Sequence, residues 1–246
     1  MAYTLKSVFL TLQGEGAQTG RTAVLCRFTG CNLWSGREED REASICSFCD
    51  TDFVGSDGPG AGRFEGAEEL ASQIRRIWDE GTGGSEAPVY AVFTGGEPLL
   101  QLDEALVEAC RCRGFELGVE TNGSLPVPAG IDWICVSPKA GAPLVQRSGD
   151  ELKQVFPQEG LDPRDLEGLD FDYFFVQPLE EPGGEMDLLA QAEEIPPNSQ
   201  WVQLVVHDDV DLTDYIGEGN LLPVVRVTGV VPDVETKVEI SFVMSM

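Results

Sequence analysis

Basic side chains are scarce. Sixteen lysines and arginines face 43 aspartates and glutamates, for a formal net charge of −27, and lysine occurs only at positions 6, 139, 153 and 237. Such a surface repels phosphate backbones unless a basic stripe is concentrated on it, and the sequence has none. Nucleic acid is therefore not an expected partner. Acids spread along the chain with so few lysines suit either a salt-rich cytoplasm or an ordinary acidic soluble protein; a fold that loosens with added salt would rule out the first. Long apolar runs are missing too. None reaches the ~18 residues of a membrane span, and Met1 to Lys6 lacks the basic-then-apolar order of a secretory signal. The expected setting is the cytoplasm, with no membrane partner. Histidine occurs once, at position 207. The cysteines number seven, which is odd, in a chain too long to need a disulfide framework, so a reducing compartment with some cysteines binding metal fits better.

What is present is enough for a folded core. At ~150 residues per domain the 246 residues make one large domain or two small ones. Strand-like and helix-like segments alternate. Thr22 to Phe28 reads as a strand with Val24, Cys26 and Phe28 on one face. Residues 29–65 have no sustained period. Ala67 to Asp79 is an amphipathic helix through Leu70, Ile74, Ile77 and Trp78. Pro88 to Phe93 is a continuous apolar run, as in a strand covered on both faces. Leu102 to Arg113 reads as a helix capped by Asp103, with Cys110 and Cys112 expected to be small buried hydrophobes. Phe115–Glu120, Trp133–Ser137, Tyr173–Gln177 and Trp201–Val206 read as strands, and Met186–Glu194 as a helix. Five or six strand–helix units imply an α/β fold with a parallel sheet, either a partial (βα) barrel or a doubly wound sheet. Polar clusters follow the strands at Thr94–Glu97, Glu120–Gly123, Ser137–Lys139 and Gln177–Pro178, so a parallel sheet would turn all four loops to one pocket. The valine-rich segment 207–246 changes character and reads as short antiparallel strands.

Cys31, Cys46 and Cys49 form C-x14-C-x2-C. A turn between cysteines two apart can aim both sulfurs at one metal or cluster. Three ligands leave a position open for a substrate or cofactor. A closed zinc site would need the distant His207 as fourth ligand. Glu97 either orders its glycine loop or is solvated there, Trp34 either shields the cysteines or packs the loop, and Asn122-Gly123 reads as a turn.

The surrounding words carry a resemblance: Leu10-Thr11-Leu12-Gln13-Gly14-Glu15-Gly16, Arg27-Phe28-Thr29-Gly30-Cys31-Asn32-Leu33-Trp34, Cys49-Asp50-Thr51, Thr94-Gly95-Gly96-Glu97-Pro98, Glu120-Thr121-Asn122-Gly123 and Ser137-Pro138-Lys139. Over about residues 3–201 the chain resembles the 7-carboxy-7-deazaguanine synthases of the radical S-adenosylmethionine superfamily, in their variant with an expanded cysteine loop. The resemblance implies a partial (βα) barrel of the radical S-adenosylmethionine type over residues 1–206, followed by a divergent β-rich tail, 207–246. It implies a lyase that converts 6-carboxy-5,6,7,8-tetrahydropterin to 7-carboxy-7-deazaguanine with loss of ammonia, for queuosine-type nucleosides. Cys31, Cys46 and Cys49 would hold a [4Fe–4S] cluster, and Thr51 a Mg2+ ion. S-adenosylmethionine would lie along Phe48, Cys49, Asp50, Gly96, Ser137, Pro138, Lys139, Gln177, Pro178, Leu179 and Glu180. Leu12, Gln13, Gly14, Glu15, Arg27 and Thr94 would contact the pterin, with Arg27 on its carboxylate and Glu120 a further acceptor. The partners implied are an external electron donor such as flavodoxin or ferredoxin and a second copy in a homodimer. Two other classes remain: a radical enzyme activating a glycine of a partner protein, and a zinc-stabilised binding module.

Overall fold

The computed structural model describes residues 2–179 and 201–203. Strand β1 (Tyr3–Leu12) pairs antiparallel with both β2 (Thr22–Phe28) and β3 (Gly62–Phe64). The strands β4 (Tyr90–Gly95), β5 (Glu116–Thr121), β6 (Trp133–Val136), β7 (Ser148–Phe156), β8 (Asp170–Pro178) and β9 (Trp201–Gln203) then add one after another, each parallel to its neighbour, starting from β2. One nine-stranded sheet results, in the order β3-β1-β2-β4-β5-β6-β7-β8-β9. Parallel neighbours in sequence order place all their C-terminal ends, and the loops that follow, along one edge. This is the expected α/β architecture of a partial barrel.

Two helices cover the outer face. Helix α1 (Ala67–Thr82) buries Leu70, Ala71, Ile74 and Trp78. Helix α2 (Glu104–Arg111) starts where expected, with the Asp103 carboxylate accepting from the Leu106 amide at 3.0 Å. They pack on Val24, Cys26, Phe28, Ala91, Phe93, Leu117 and Val119. Cys110 joins that core. Cys112 does not: two residues further along a helix is a rotation of about 200°, and its thiol is exposed. The connections from β5 to β6, β6 to β7 and β7 to β8 contain no α-helix among the described residues. There the segment after β7 supplies the cover instead, laying Leu161, Leu166 and Leu169 over Val136, Leu152, Phe171, Phe174 and Val176. Among the described residues, the expectation of five or six strand–helix units is thus corrected to two α-helices, both over the first half of the sheet. Strands β1, β3 and β7 were not foreseen by periodicity. Glu180, the helix Met186–Glu194, His207, the boundary at 206–207 and the segment 207–246 lie outside the described residues, and β9 is described only to Gln203. No described helix is long and apolar enough to cross a membrane.

Candidate active site

Alternation along the strands turns every second side chain away from the helices, into the concave face. On this inner face Arg27 of β2 pairs in register with Thr94 of β4, the Thr94 hydroxyl donates to Glu120 of β5 at 3.4 Å, and Glu120 pairs with Cys135 of β6, which pairs with Glu151 of β7. One rung across five strands is therefore polar or charged. Near the start of the strands the barrel is closed by Arg21, which binds Glu116 at 2.7 Å and lies 3.8 Å over the Tyr90 ring.

The loop after β1 folds back over this rung. Gln13 donates to Glu120 at 2.6 Å, the Ala17 amide donates to Glu151 at 2.9 Å, and Glu15 pairs with Lys153 of β7 at 2.7 Å and accepts from Gln177 of β8. Gly16 has φ +70° and faces the Glu151 carboxylate so closely that a Cβ would stand 2.0 Å from an oxygen, so any side chain there is strained and displaces Glu151. Lys153 is 5% exposed, and the charges of Glu120, Glu15 and Glu151 all favour its ammonium over the opposing effect of burial. Lys153 in turn holds Glu15 below the usual carboxylate range, whereas burial pushes Glu151 up. Among the described residues Arg27 makes no ion pair. Leu12 has the parity of Val8 and Leu10, whose side chains pack on the helix-covered core, so its side chain turns from the inner face.

The cysteine loop follows β2. Cys46 is buried, while Cys31 and Cys49 are half-buried. A hydrogen bond between Cys46 and Cys49 pulls the Cys49 thiol below its usual range and pushes Cys46 up, and Cys31 interacts electrostatically with both. Cys31 Sγ accepts from the Leu33 amide at 3.4 Å. Lys139, after β6, donates to the Ser137 carbonyl and hydroxyl at 2.7 Å each, and its charge reaches Cys46 and Cys49. The Ser137–Lys139 segment is itself held by buried Gln158, which accepts from the Ala140 amide at 3.0 Å and donates to the Pro138 carbonyl. Among the described residues no three His, Cys, Asp or Glu side chains converge on one ion position. Three neighbouring cysteine thiols in one loop are the donor type that iron–sulfur clusters take.

Glu97 joins the loops. It is fully buried and accepts from the Leu99 amide at 3.0 Å, the Thr121 hydroxyl at 2.8 Å and the Asn122 amide at 2.8 Å. It is an organising group, not a solvated one, and burial pushes its pKa up. Asn122 is more than a turn residue: it donates to Asn32 at 3.0 Å and so ties the β5 loop to the cysteine loop. Gly96 sits where a Cβ would meet the Gly30 carbonyl at 2.2 Å and the Cys31 Cβ at 2.9 Å, so its missing side chain admits the cysteine loop. Glu97→Ala leaves three donors unanswered and should cost about 3 kcal/mol. The midpoint of urea unfolding checks this; an unchanged midpoint would remove Glu97 from its organising role.

The chain is 53% identical over 201 residues to the 7-carboxy-7-deazaguanine synthase of Caulobacter vibrioides, covering 82% of this chain and 94% of the relative. The chain belongs to the 7-carboxy-7-deazaguanine synthase family. The synthase of Bordetella pertussis is 54% identical over the same span and coverage, and that of Bradyrhizobium diazoefficiens 57% identical over 182 residues, 74% of this chain and 85% of the relative. Among solved structures, the crystal structure of QueE from Escherichia coli superimposes with a TM-score of 0.54 at 25% identity, covering 73% of this chain and 85% of that one. No family model matches the chain.

Against the residues expected from the resemblance to this synthase family, the structure gathers two groups. Gln13, Glu15, Arg27, Thr94 and Glu120 share the inner face or the loop laid over it, and Gln177, expected beside the cofactor, joins them through Glu15. Cys31, Cys46, Cys49 and Lys139 interact electrostatically at the mouth, with half-buried Phe48 inside the cysteine turn, exposed Asp50 after it, and Thr51 hydrogen-bonded to Cys49 and Asp50. Gly14 is exposed and close to nothing. The Leu179 amide donates to the Phe156 carbonyl at 2.8 Å, which fixes the chain leaving β8 after Pro178. Sequence reasoning missed Lys153, Glu151, Asn32 and Gln158. The first two lie on a strand it did not foresee.

Proposed function

We propose that the chain is a radical S-adenosylmethionine lyase that converts 6-carboxy-5,6,7,8-tetrahydropterin to 7-carboxy-7-deazaguanine with release of ammonia, for queuosine-type nucleosides. The observation that carries this is the composition of the inner face. Arg27, without an ion pair among the described residues, stands at one end of the rung, Glu120 with its partner Gln13 at its middle, and Glu15 over the far strands on Lys153 and Gln177. A pterin carboxylate offers the anion that a planar guanidinium grips with two donors. The amide and guanidine-like edge of the same molecule offers donors and acceptors in alternation, which a glutamine beside carboxylates can match.

The three cysteines fit a [4Fe–4S] cluster. When bound, the cluster and S-adenosylmethionine supply the carbon radical that removes hydrogen from the substrate. Cys31, Cys46 and Cys49 hold the cluster, and Lys139 with Ser137 lies on the S-adenosylmethionine side, along Phe48, Asp50, Gly96 and residues 177–180. Thr51 takes part in binding Mg2+; a single hydroxyl is a weak ligand, so substrate oxygens and water complete the shell. The working enzyme is a cytoplasmic homodimer with residues 1–206 as its catalytic domain, reduced by a flavodoxin or a ferredoxin. Light scattering on the purified protein tests the dimer.

Arg27→Ala should lower kcat/KM by roughly 10- to 100-fold, chiefly through KM, since a charge-assisted hydrogen-bonded contact is worth about 1.5–3 kcal/mol. Steady-state kinetics at varied pterin concentration check it, and an unchanged KM would take Arg27 out of the binding site. The reaction itself is tested by anaerobic turnover of the iron-reconstituted full chain with 6-carboxytetrahydropterin, S-adenosylmethionine, Mg2+ and a reductant, read by mass spectrometry. 7-Carboxy-7-deazaguanine is expected. S-adenosylmethionine cleavage without that product overturns the substrate, and no cleavage with no iron bound overturns the cluster.

A further inference from the structure

Fourteen residues separate Cys31 from Cys46. Closing a loop of that length costs chain entropy, and an unstructured tether would leave Cys46 and Cys49 loosely placed relative to Cys31. The loop has a small core of its own instead. Leu33 and Trp34 are buried, Trp34 meets Phe53 edge-to-face at 5.6 Å, and the Ile45 amide donates to the Leu33 carbonyl at 3.2 Å. Arg41 binds these pieces to the cysteine turn. Its guanidinium carbon lies 4.1 Å over the Trp34 ring, and Nε donates to Glu38 at 2.8 Å. Nη1 donates to the carbonyls of Ser47 and Cys49, at 2.9 Å each. Those carbonyls belong to the turn that carries the second and third thiols.

We propose that Arg41 is a positioning residue of the cluster site: it clamps the Cys46–Cys49 turn to Trp34, so that both thiols stand in place beside Cys31 before iron arrives. What the thiols hold rests on the cluster reading above; the clamp itself does not. Only a planar fork can stack on an indole while donating in its own plane to a carboxylate and two carbonyls. A lysine ammonium keeps the charge and loses that geometry. The Arg37 side chain, in the same loop, makes among the described residues one long contact, to Glu39 at 3.7 Å, and is 71% exposed; its carbonyl, which accepts from the Trp34 indole, survives truncation, so R37A serves as the control.

The test compares wild type, R41A, R41K and R37A, first as proteins without iron. Hydrogen exchange should show that R41A and R41K lose protection about tenfold or more at the Ile45 and Cys46 amides, which donate to the Leu33 carbonyl, while β4 and β5 stay as in wild type and R37A is unaltered. In anaerobic reconstitution with ferrous iron and sulfide, R41A and R41K should take up iron several-fold more slowly with all three cysteines intact. The paramagnetic resonance signal of the reduced cluster should broaden in R41K. Wild-type protection of the Ile45 and Cys46 amides in R41A, or wild-type iron uptake by it, overturns the clamp; if R41A does not fold, the same readings on R41K decide. Lost protection in R41A alongside a wild type that binds no iron keeps the clamp and discards the cluster.

Discussion

Cys46→Ala should give a folded protein that has lost its cluster and all S-adenosylmethionine cleavage. The thiol is 5% exposed and small, so truncation to alanine removes little apolar volume and should cost about 1 kcal/mol. The chemical loss is far larger. Two remaining thiolates hold a cluster poorly, and bound iron and its visible absorption should fall more than tenfold after identical reconstitution. Cys112→Ala is the matched control: that thiol is exposed on α2, hydrogen-bonded to Glu108 at 3.2 Å, and has no part in the site. Iron analysis and absorption spectra of both variants decide. A Cys46→Ala protein that keeps its full iron complement would refute the ligand assignment.

Lys153→Met should destabilise the fold by about 2–3 kcal/mol at neutral pH, the cost of leaving buried Glu151 and the partly exposed Glu15 and Glu120 without their counter-charge. Lys153 is the cation among Glu15, Glu120 and Glu151, at 2.7 Å from the first and 3.9 Å from the second. The deficit should shrink in acid, and the sign follows from Glu15. In the wild type Lys153 depresses its pKa, so Glu15 contributes stability above its unfolded value near 4.3 and loses it only as pH falls through the lower folded value. Without the ammonium, burial and like charges raise that pKa, and the variant suffers most where the carboxylates are ionised. Urea unfolding at pH 7 and pH 5 measures both curves. Equal deficits at the two values would show that the ion cluster is not the source.

The strands that periodicity found are those covered by helices or flanked by clear turn chemistry, such as β4 with its continuous apolar run. The two long strands it missed have separate physical causes. In β1 the register shifts between Leu5 and Ser7, so the apolar phase of Tyr3 and Leu5 breaks before Val8 and Leu10 resume it. In β7 the inner face carries Glu151 and Lys153 while the outer face mixes Leu152 with buried Gln154, so neither side reads as core. A barrel interior built to hold a polar substrate hides its own strands from hydrophobic pattern. The cysteines, Arg27, Thr94 and the glycine loop were legible because motif order marks them. The partners that hold them, Glu97 apart, were not: Asn32 and Gln158 act through hydrogen bonds formed only once loops meet, and Arg41 acts on backbone carbonyls of its own loop, which no side-chain pattern marks.

The loop after β1 meets its partners 107, 138 and 162 residues further along the chain, at Glu120, Lys153 and Gln177. A growing chain can pack α1 and α2 on the first parallel strands long before those residues exist, because those contacts are closer in sequence. Gln13 waits for Glu120 of β5, and Glu15 for Lys153 of β7 and Gln177 of β8, so the loop has its full set of partners only when β8 has left the ribosome. The pocket is therefore completed late, and a chain released early has a core but an unfinished pocket.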